Sequence, residues 1–291
     1  QLQLNRADEA ETSFKTFLAG VDSDNPSTHT EPDAHARGKT QAYLSLAHIA
    51  ERTQRLTEAR AWLDRVDTTD NALRIQTLRA SLLAREGKLQ EARALIQATP
   101  ELQPNDALAK LKAEAQLLKE VAQPTDAYAV LNQASALAPD DFDLIYERAM
   151  LAEKLGLTVD MEKLLRSIIS AQPDNHNALN ALGYALADRN ERLSEAKTLI
   201  DKAHALAPDD PYITDSLGWV LFRMGDTTQA ITLLKRAFEI RQDVEIAVHL
   251  GEALWTQGNK EAARGYFRQA QSMQPDNELL KSTLTRLQVT P

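Results

Sequence analysis

The sequence predicts an all-α chain of helix-turn-helix repeats, stacked as a right-handed superhelical solenoid with a concave inner face. Three observations predict it. Residues 176–275 carry one pattern three times: a Leu-Gly pair (Leu182-Gly183, Leu217-Gly218, Leu250-Gly251), an Ala about one helix later (Ala196, Ala230, Ala263), and a second Ala seven residues on (Ala203, Ala237, Ala270). The punctuation repeats in step: Gly225 and Gly258 fall between the paired helices, Asn190 takes that place in the first copy, and Pro208 and Pro275 close two copies. Gly and Asn both serve as left-handed helix ends. Ten Gly, six Phe and no Cys, in a chain rich in Ala, Leu and Glu, complete the helical composition.

Small residues at the Leu-Gly site and at both alanines let two antiparallel helices approach closely, while Leu179, Leu186 and Leu199 fill the gaps. A single repeat leaves its apolar face wet. Stacking buries that face, so the unit makes sense only as an array, and the 291 residues read as one elongated domain that grows by repetition. A unit of about 34 residues with this spacing resembles the tetratricopeptide repeat.

In chain order, residues 1–19 read as the second helix of an incomplete repeat, with Ala10, Phe14 and Phe17 at the spacing of Ala230, Leu234 and Ala237. That start implies further repeats upstream. Residues 20–37 are polar and rich in Asp, Ser, Thr and Pro, so a long loop is expected there. His29, Glu31, Asp33 and His35 within it are of metal-ligating type, but without a fixed ligand spacing a polar loop explains them and no metal is expected.

Seven repeats are expected over 38–275. The first carries Ala47 and Ala59; the second Ala80, Gly87 and Ala92, closing on Pro104; the third Ala115, Ala127 and Ala134, closing on Pro139; the fourth Ala149, Gly156 and Pro173, with Met161 in place of the turn alanine. Pro124 stands where a second helix begins, a position at which proline sacrifices no hydrogen bond. The three strong copies occupy 175–207, 210–242 and 243–274. Residues 276–291 give a capping helix, with Leu279, Leu280, Leu284 and Leu287 on one face, and a tail.

The formal net charge of -9 disfavours a nucleic-acid surface, which needs a basic stripe. No run of eighteen apolar residues is present, and the first twenty do not read as a signal peptide. Nucleophile-elbow, zincin and phosphate-loop motifs are absent from the sequence. The six histidines are scattered, and the carboxylates stand beside Lys or Arg at helical spacing, as Glu191, Glu195 and Lys197 do. The chain therefore reads as a non-enzyme without a cofactor.

What remains is surface. Residues beside the Leu-Gly site project from the first helix of each pair: Asn177, Asn180 and Tyr184; Tyr212, Asp215, Trp219 and Arg223; Glu245, His249, Glu252 and Trp255. Polar residues interleaved with Tyr, Trp and Arg have the composition of a protein-recognition patch. Packing of Trp219 and Trp255 against a neighbouring repeat is the competing expectation. Phe14 and Phe17 form a second candidate docking edge on the first helix.

The tetratricopeptide resemblance covers nearly the whole chain. More narrowly, residues 177–259, from NALNALGYALADRNERLSEA to LGEALWTQGN, resemble the C-terminal part of proteobacterial tetratricopeptide lipoproteins of the outer membrane. That resemblance implies a non-enzymatic periplasmic adaptor, which binds and activates a carboxyl-terminal processing protease and presents peptidoglycan hydrolases to it. It implies membrane attachment only through a lipid anchor outside these residues. The carboxylate clamp of chaperone-binding tetratricopeptide domains is not matched: its nearest register offers Lys112, Gln116, Glu147, Asn177 and Ala181, and Glu147 would repel a carboxylate. Two other readings stay open, a regulatory module of an enzyme whose catalytic domain lies elsewhere and an assembly factor for glycan or lipid.

Overall fold

The computed structural model describes residues 2–23, 32–66 and 72–290, with side chains described outside 2–6, 22–23 and 32–34. It divides into two units, Gln1–Asp141 and Phe142–Pro291, where one elongated domain was expected. A stack in which each pair touches only its neighbours divides readily at a connector. Among the described residues there are sixteen helices and no strand.

The first unit holds α1 (Leu2–Ser23), α2 (Pro32–Arg52) with α3 (Leu56–Leu63), α4 (Ala72–Arg85) with α5 (Leu89–Gln97), and α6 (Asp106–Glu120) with α7 (Pro124–Leu137). The second holds α8 (Phe142–Lys154) with α9 (Thr158–Ala171), α10 (His176–Asp188) with α11 (Leu193–Leu206), α12 (Pro211–Arg223) with α13 (Thr227–Ile240), α14 (Val244–Gln257) with α15 (Lys260–Met273), and α16 (Glu278–Leu287).

The stretch 20–37, expected as a loop, is helical at both ends. α1 runs on to Ser23 and α2 begins at Pro32. Proline suits a first helical turn, and the polar residues that follow it can lie on a solvated face. Of the metal-type residues, His29, Glu31 and the side chain of Asp33 lie outside the described residues, and His35 sits in α2. Among the described residues no three His, Cys, Asp or Glu are grouped as a metal site, and no helix is long and apolar enough to cross a membrane.

The turn between paired helices is made the same way each time. Gln54, Gly87, Ala122, Gly156, Asn190, Gly225 and Gly258 all have positive φ, between 55° and 96°. The amide after each left-handed residue reaches back across the last turn, as Asp226 N donates to Leu221 O at 2.9 Å, which satisfies a carbonyl the helix end would leave free. In the second unit α10 and α12 to α16 are capped by side chains, while α9 and α11 are not. Asn175, Asp210, Asp226, Asp243, Asn259 and Asn277 each accept from a backbone N–H two or three residues on.

Pair packing rests on the Leu-Gly glycines. A Cβ on Gly183 would lie 2.5 Å from Ile200 Cγ1, one on Gly218 2.7 Å from Leu234 Cγ, and one on Gly251 2.5 Å from Phe267 Cε1. Ala196, Ala230 and Ala263 face them from the second helix and are fully buried. Met161, which replaces the alanine in α9, is also fully buried, so that pair fills the same place with a longer, pliable side chain.

Two stability outcomes follow. Gly251→Ala drives a methyl into the buried Phe267 ring and should cost about 1–3 kcal/mol, read by urea denaturation followed at 222 nm. Ala122→Gly removes a left-handed alanine (φ 55°) and should raise stability by up to about 1 kcal/mol; an unchanged midpoint would show that the turn carries no strain.

Candidate functional site

The predicted recognition residues lie in the second unit, on α10, α12 and α14, and the structure divides them. Asp215, Trp219, His249 and Glu252 are buried in a polar seam between successive first helices, not displayed on a wall. His249 is 0 % exposed and Trp219 3 %. The expectation that these four form an open recognition patch is therefore corrected, and packing against the neighbouring repeat is the arrangement found for Trp219. The cause is geometric: residues two or three positions before the Leu-Gly glycine, and one after it, point between adjacent first helices once the pairs are stacked.

The seam is organised by His249. Its Nδ1 lies 2.9 Å from Asp215 Oδ2 and 3.0 Å from Oδ1, and the Trp219 ring stacks on the imidazole with centroids 4.1 Å apart and planes 18° from parallel. On the other side, Nε2 is 3.4 Å from the Tyr184 hydroxyl, which itself donates to Glu245 Oε1 at 2.5 Å. Because that hydroxyl directs its proton at Glu245, it presents lone pairs to Nε2. An imidazolium, with a proton on each nitrogen, satisfies both neighbours; a neutral ring leaves one of the two contacts without a proton.

The electrostatics agree. Burial alone would push the imidazole down, but Asp215, backed by Glu245 and Asp188, outweighs it and holds the His249 pKa above its ordinary value. Burial and the neighbouring Glu245 push the Tyr184 hydroxyl well up, which keeps it a donor. One Asp, one His, one Tyr and one Glu thus form a hydrogen-bonded line across three repeats.

Next to this line lie groups the sequence reading missed. Burial, together with Asp188 and Glu245, raises the Glu153 carboxyl, with Arg189 opposing, and burial followed by Glu153 raises the Tyr146 hydroxyl. A signal existed: Tyr146 stands three residues before Ala149, in the register of Asn180 and Asp215, and Asp188 stands five after Gly183, in the register of Arg223. Arg223 bonds the Asp188 carbonyl at 3.3 Å and lies over Trp219 at 5.5 Å. Glu252 is clamped at both oxygens by Arg286 of α16, at 2.8 and 2.6 Å.

The remaining predicted residues keep some access to water. Asn177 and Tyr212 are exposed; Trp255, Asn180, Tyr184 and Arg223 are half-buried. Arg241 lies over Tyr212 at 5.3 Å, and Trp255 is flanked by Lys260 at 4.9 Å and Arg264 at 5.5 Å. The Oδ1 of Asn180 is buried without a hydrogen-bond partner.

In the first unit, α1 does not present the free apolar edge expected of Phe14 and Phe17. Phe14 packs with Leu18, Ala42 and Leu46, and Leu18, not Phe17, is the buried residue, since the helical step from Phe14 to the same face is four residues. Phe17 is 42 % exposed and rests over Gly38, where a Cβ would meet its Cζ at 3.0 Å. Arg55 forks onto Glu11 at 2.6 and 3.2 Å, and this hydrogen bonding, with that of Lys15, lowers the Glu11 pKa to about 2.

Comparison with known proteins agrees with this architecture. The family model described as "Tetratricopeptide repeat" matches residues 216–278. A TPR repeat-containing protein of Pseudomonas aeruginosa is 38% identical over 211 residues, which is 72% of this chain and 36% of that protein. Protein O-mannosyl-transferase TMTC1 of Homo sapiens is 28% identical over 170 residues, 56% of this chain and 19% of that one. The chain thus spans about a third of the first relative and just under a fifth of the second. A crystal structure of a tetratricopeptide repeat protein from Parabacteroides merdae superposes with a TM-score of 0.63 at 18% identity, covering 86% of this chain and 99% of that one, a likeness of fold.

The seam gives a pH outcome. A histidine whose folded pKa is raised contributes stability that is fully present below its unfolded value of about 6.5 and lost as pH rises through the folded value. Thermal melting of the protein should fall as pH rises past neutrality, and His249→Gln should flatten that slope. Identical slopes for the two proteins would show that folding does not raise the His249 pKa.

Proposed function

Because the chain is built of tetratricopeptide repeats, a scaffold that binds proteins through its repeat faces, we propose that it is a non-enzymatic adaptor. Its narrower role, on this reading, is to bind and activate a carboxyl-terminal processing protease and to present cell-wall hydrolases to it. It would work in the periplasm, at the inner face of the outer membrane, with a lipid anchor outside residues 1–291. An adaptor of this kind raises the local concentration of enzyme and substrate and needs no chemistry of its own.

The observation that carries the reading is what the polar seam leaves over. With Asp215, Trp219, His249 and Glu252 absorbed into packing, Asn177, Tyr212 and Trp255 are still open to water wholly or in part, within the stretch 177–259 whose sequence resembles the lipoprotein adaptors. Aromatic residues flanked by Arg and Lys supply area and charge together, as interface hot spots do.

A second reading, a repeat module serving a larger enzyme, is favoured by the match to part of an O-mannosyl-transferase. A pull-down from periplasmic extract with the protein as bait separates the two. Recovery of a carboxyl-terminal processing protease with peptidoglycan hydrolases, and faster hydrolase degradation when purified protein is added to that protease, is the expected result. Recovery of neither, with no effect on the purified protease, would remove the adaptor role.

Tyr212→Ala combined with Trp255→Ala should weaken partner binding by about 2–4 kcal/mol with helicity retained. Trp219→Ala should instead lower stability by about 3–5 kcal/mol. Calorimetric titration with the captured partner, alongside circular dichroism, distinguishes the two effects; full affinity in the double variant would move the docking face elsewhere.

A further inference from the structure

In a repeat stack each pair ordinarily touches only its neighbours. The second unit holds a contact of another kind. The Tyr184 hydroxyl of α10 donates to Glu245 at 2.5 Å and lies 3.4 Å from His249 Nε2, and both partners stand on α14, 61 and 65 residues on. The side chain thus reaches past the intervening pair, α12 with α13. α12 joins the same line through Asp215, which lies 2.9 Å from the other imidazole nitrogen. His249 is fully buried. Helices α13 and α15 also pack on α14, and among the described residues no charged side chain of either hydrogen-bonds to His249.

Three contacts make up the line, and each needs one proton: Nδ1 with Asp215, Nε2 with the Tyr184 oxygen, and that oxygen with Glu245. An imidazolium and a phenol supply three protons between them; a neutral imidazole and a phenol supply two. With two, the Asp215 contact keeps its proton, because it is charge-assisted and both carboxylate oxygens lie within 3.0 Å of Nδ1. The shortfall therefore falls on the contacts that join α10 to α14. Loss of the imidazolium also removes a positive charge from among carboxylates: Glu153 of α8 already feels Asp188 of α10 and Glu245 of α14 as like charges, with Arg189 opposing them. Arg223 lies over Trp219, Arg286 of α16 is committed to Glu252, and both keep their charge throughout. Burial holds the Tyr184 proton in place. Among the groups facing the line, His249 is the one whose charge changes as pH rises past neutrality.

We propose that Tyr184, His249 and Glu245 form a clasp between non-adjacent repeats that sets the curvature of the second unit, closed while the imidazole carries two protons and open once it has lost one. In the open form α14 stays on α12 through Asp215 but moves away from α10, driven by the carboxylates left without their cation. Asn177, Tyr212 and Trp255 stand on α10, α12 and α14, so the spacing of these accessible residues changes with the clasp. The device lies within Phe142–Pro291 and does not depend on the identity of any partner.

The chain has no cysteine, so two spin labels can be placed without other changes. Asn177→Cys on α10 and Gln242→Cys just ahead of α14 are both exposed positions, and double electron-electron resonance between them reads the spacing of the two repeats. Measured on the full chain well below its melting temperature, with helicity at 222 nm as control, the distance should lengthen by about 1–2 Å and its distribution broaden between about pH 6 and about pH 9. Tyr184→Phe keeps the ring and removes the hydroxyl; it should give the longer, broader distribution at both pH values. His249→Gln should likewise lose the pH response. An unchanged distance in the parent chain, a pH response that persists in Tyr184→Phe, or a short, narrow distribution in that variant at about pH 6 would overturn the proposal.

Discussion

The structure depends on the close approach of two helices at a glycine. At Gly183, Gly218 and Gly251 the neighbouring side chain stands within 2.5–2.7 Å of where a Cβ would be, a separation that real Cβ atoms cannot tolerate. Because the helices touch there, the fully buried Ala196, Ala230 and Ala263 can be small without leaving a void, and the larger Ile200, Leu234 and Phe267 fill the space beside them. The left-handed residue between the two helices of each pair sets the angle at which they meet. Each repeat thereby acquires one apolar face, which only another repeat can cover.

The same stacking explains why polar residues are buried in the second unit. Once α10, α12 and α14 lie side by side, positions near the glycine are enclosed whatever their chemistry. Asp215, His249, Tyr184 and Glu245 meet there as a chain in which each donor finds an acceptor, the condition under which buried polar groups are tolerated. An imidazole held between Asp215 of the preceding repeat and the Tyr184 hydroxyl of the one before it also constrains register, since a slip would leave several buried polar groups unpaired. Glu252 is treated alike: its two oxygens are held by Arg286 of the last helix, so α16 is fastened by charge as well as by Leu280.

Two pairs of the first unit solve the same packing problem with less helix, since α3 and α5 are short while α7 keeps its full length. Pro100 stops α5 early and the chain covers the remaining distance as a connector, so an apolar floor that a fourteen-residue helix would cover stays partly open. Repeat length is preserved while the surface changes, the way solenoids vary binding faces without altering their stacking.

Much of this was legible in the sequence. Leu-Gly pairs, turn glycines and repeated alanines are local consequences of helix geometry, and they point to the helical solenoid and to the positions of α10–α15 without reference to distant residues. Two things could not be read that way. The reach of α1 to Ser23 and of α2 back to Pro32 falls in a polar stretch with no apolar periodicity to announce it, and α1 is held by contacts such as Phe14 with Ala42 and Glu11 with Arg55, which join residues far apart in sequence. The fate of Trp219, Asp215 and His249 was decided by stacking: as a pattern, polar and aromatic residues on a first helix look the same whether they face water or the adjacent repeat. Periodicity says which residues share a face of a helix; only the neighbouring helix, placed by tertiary packing, decides which part of that face is covered.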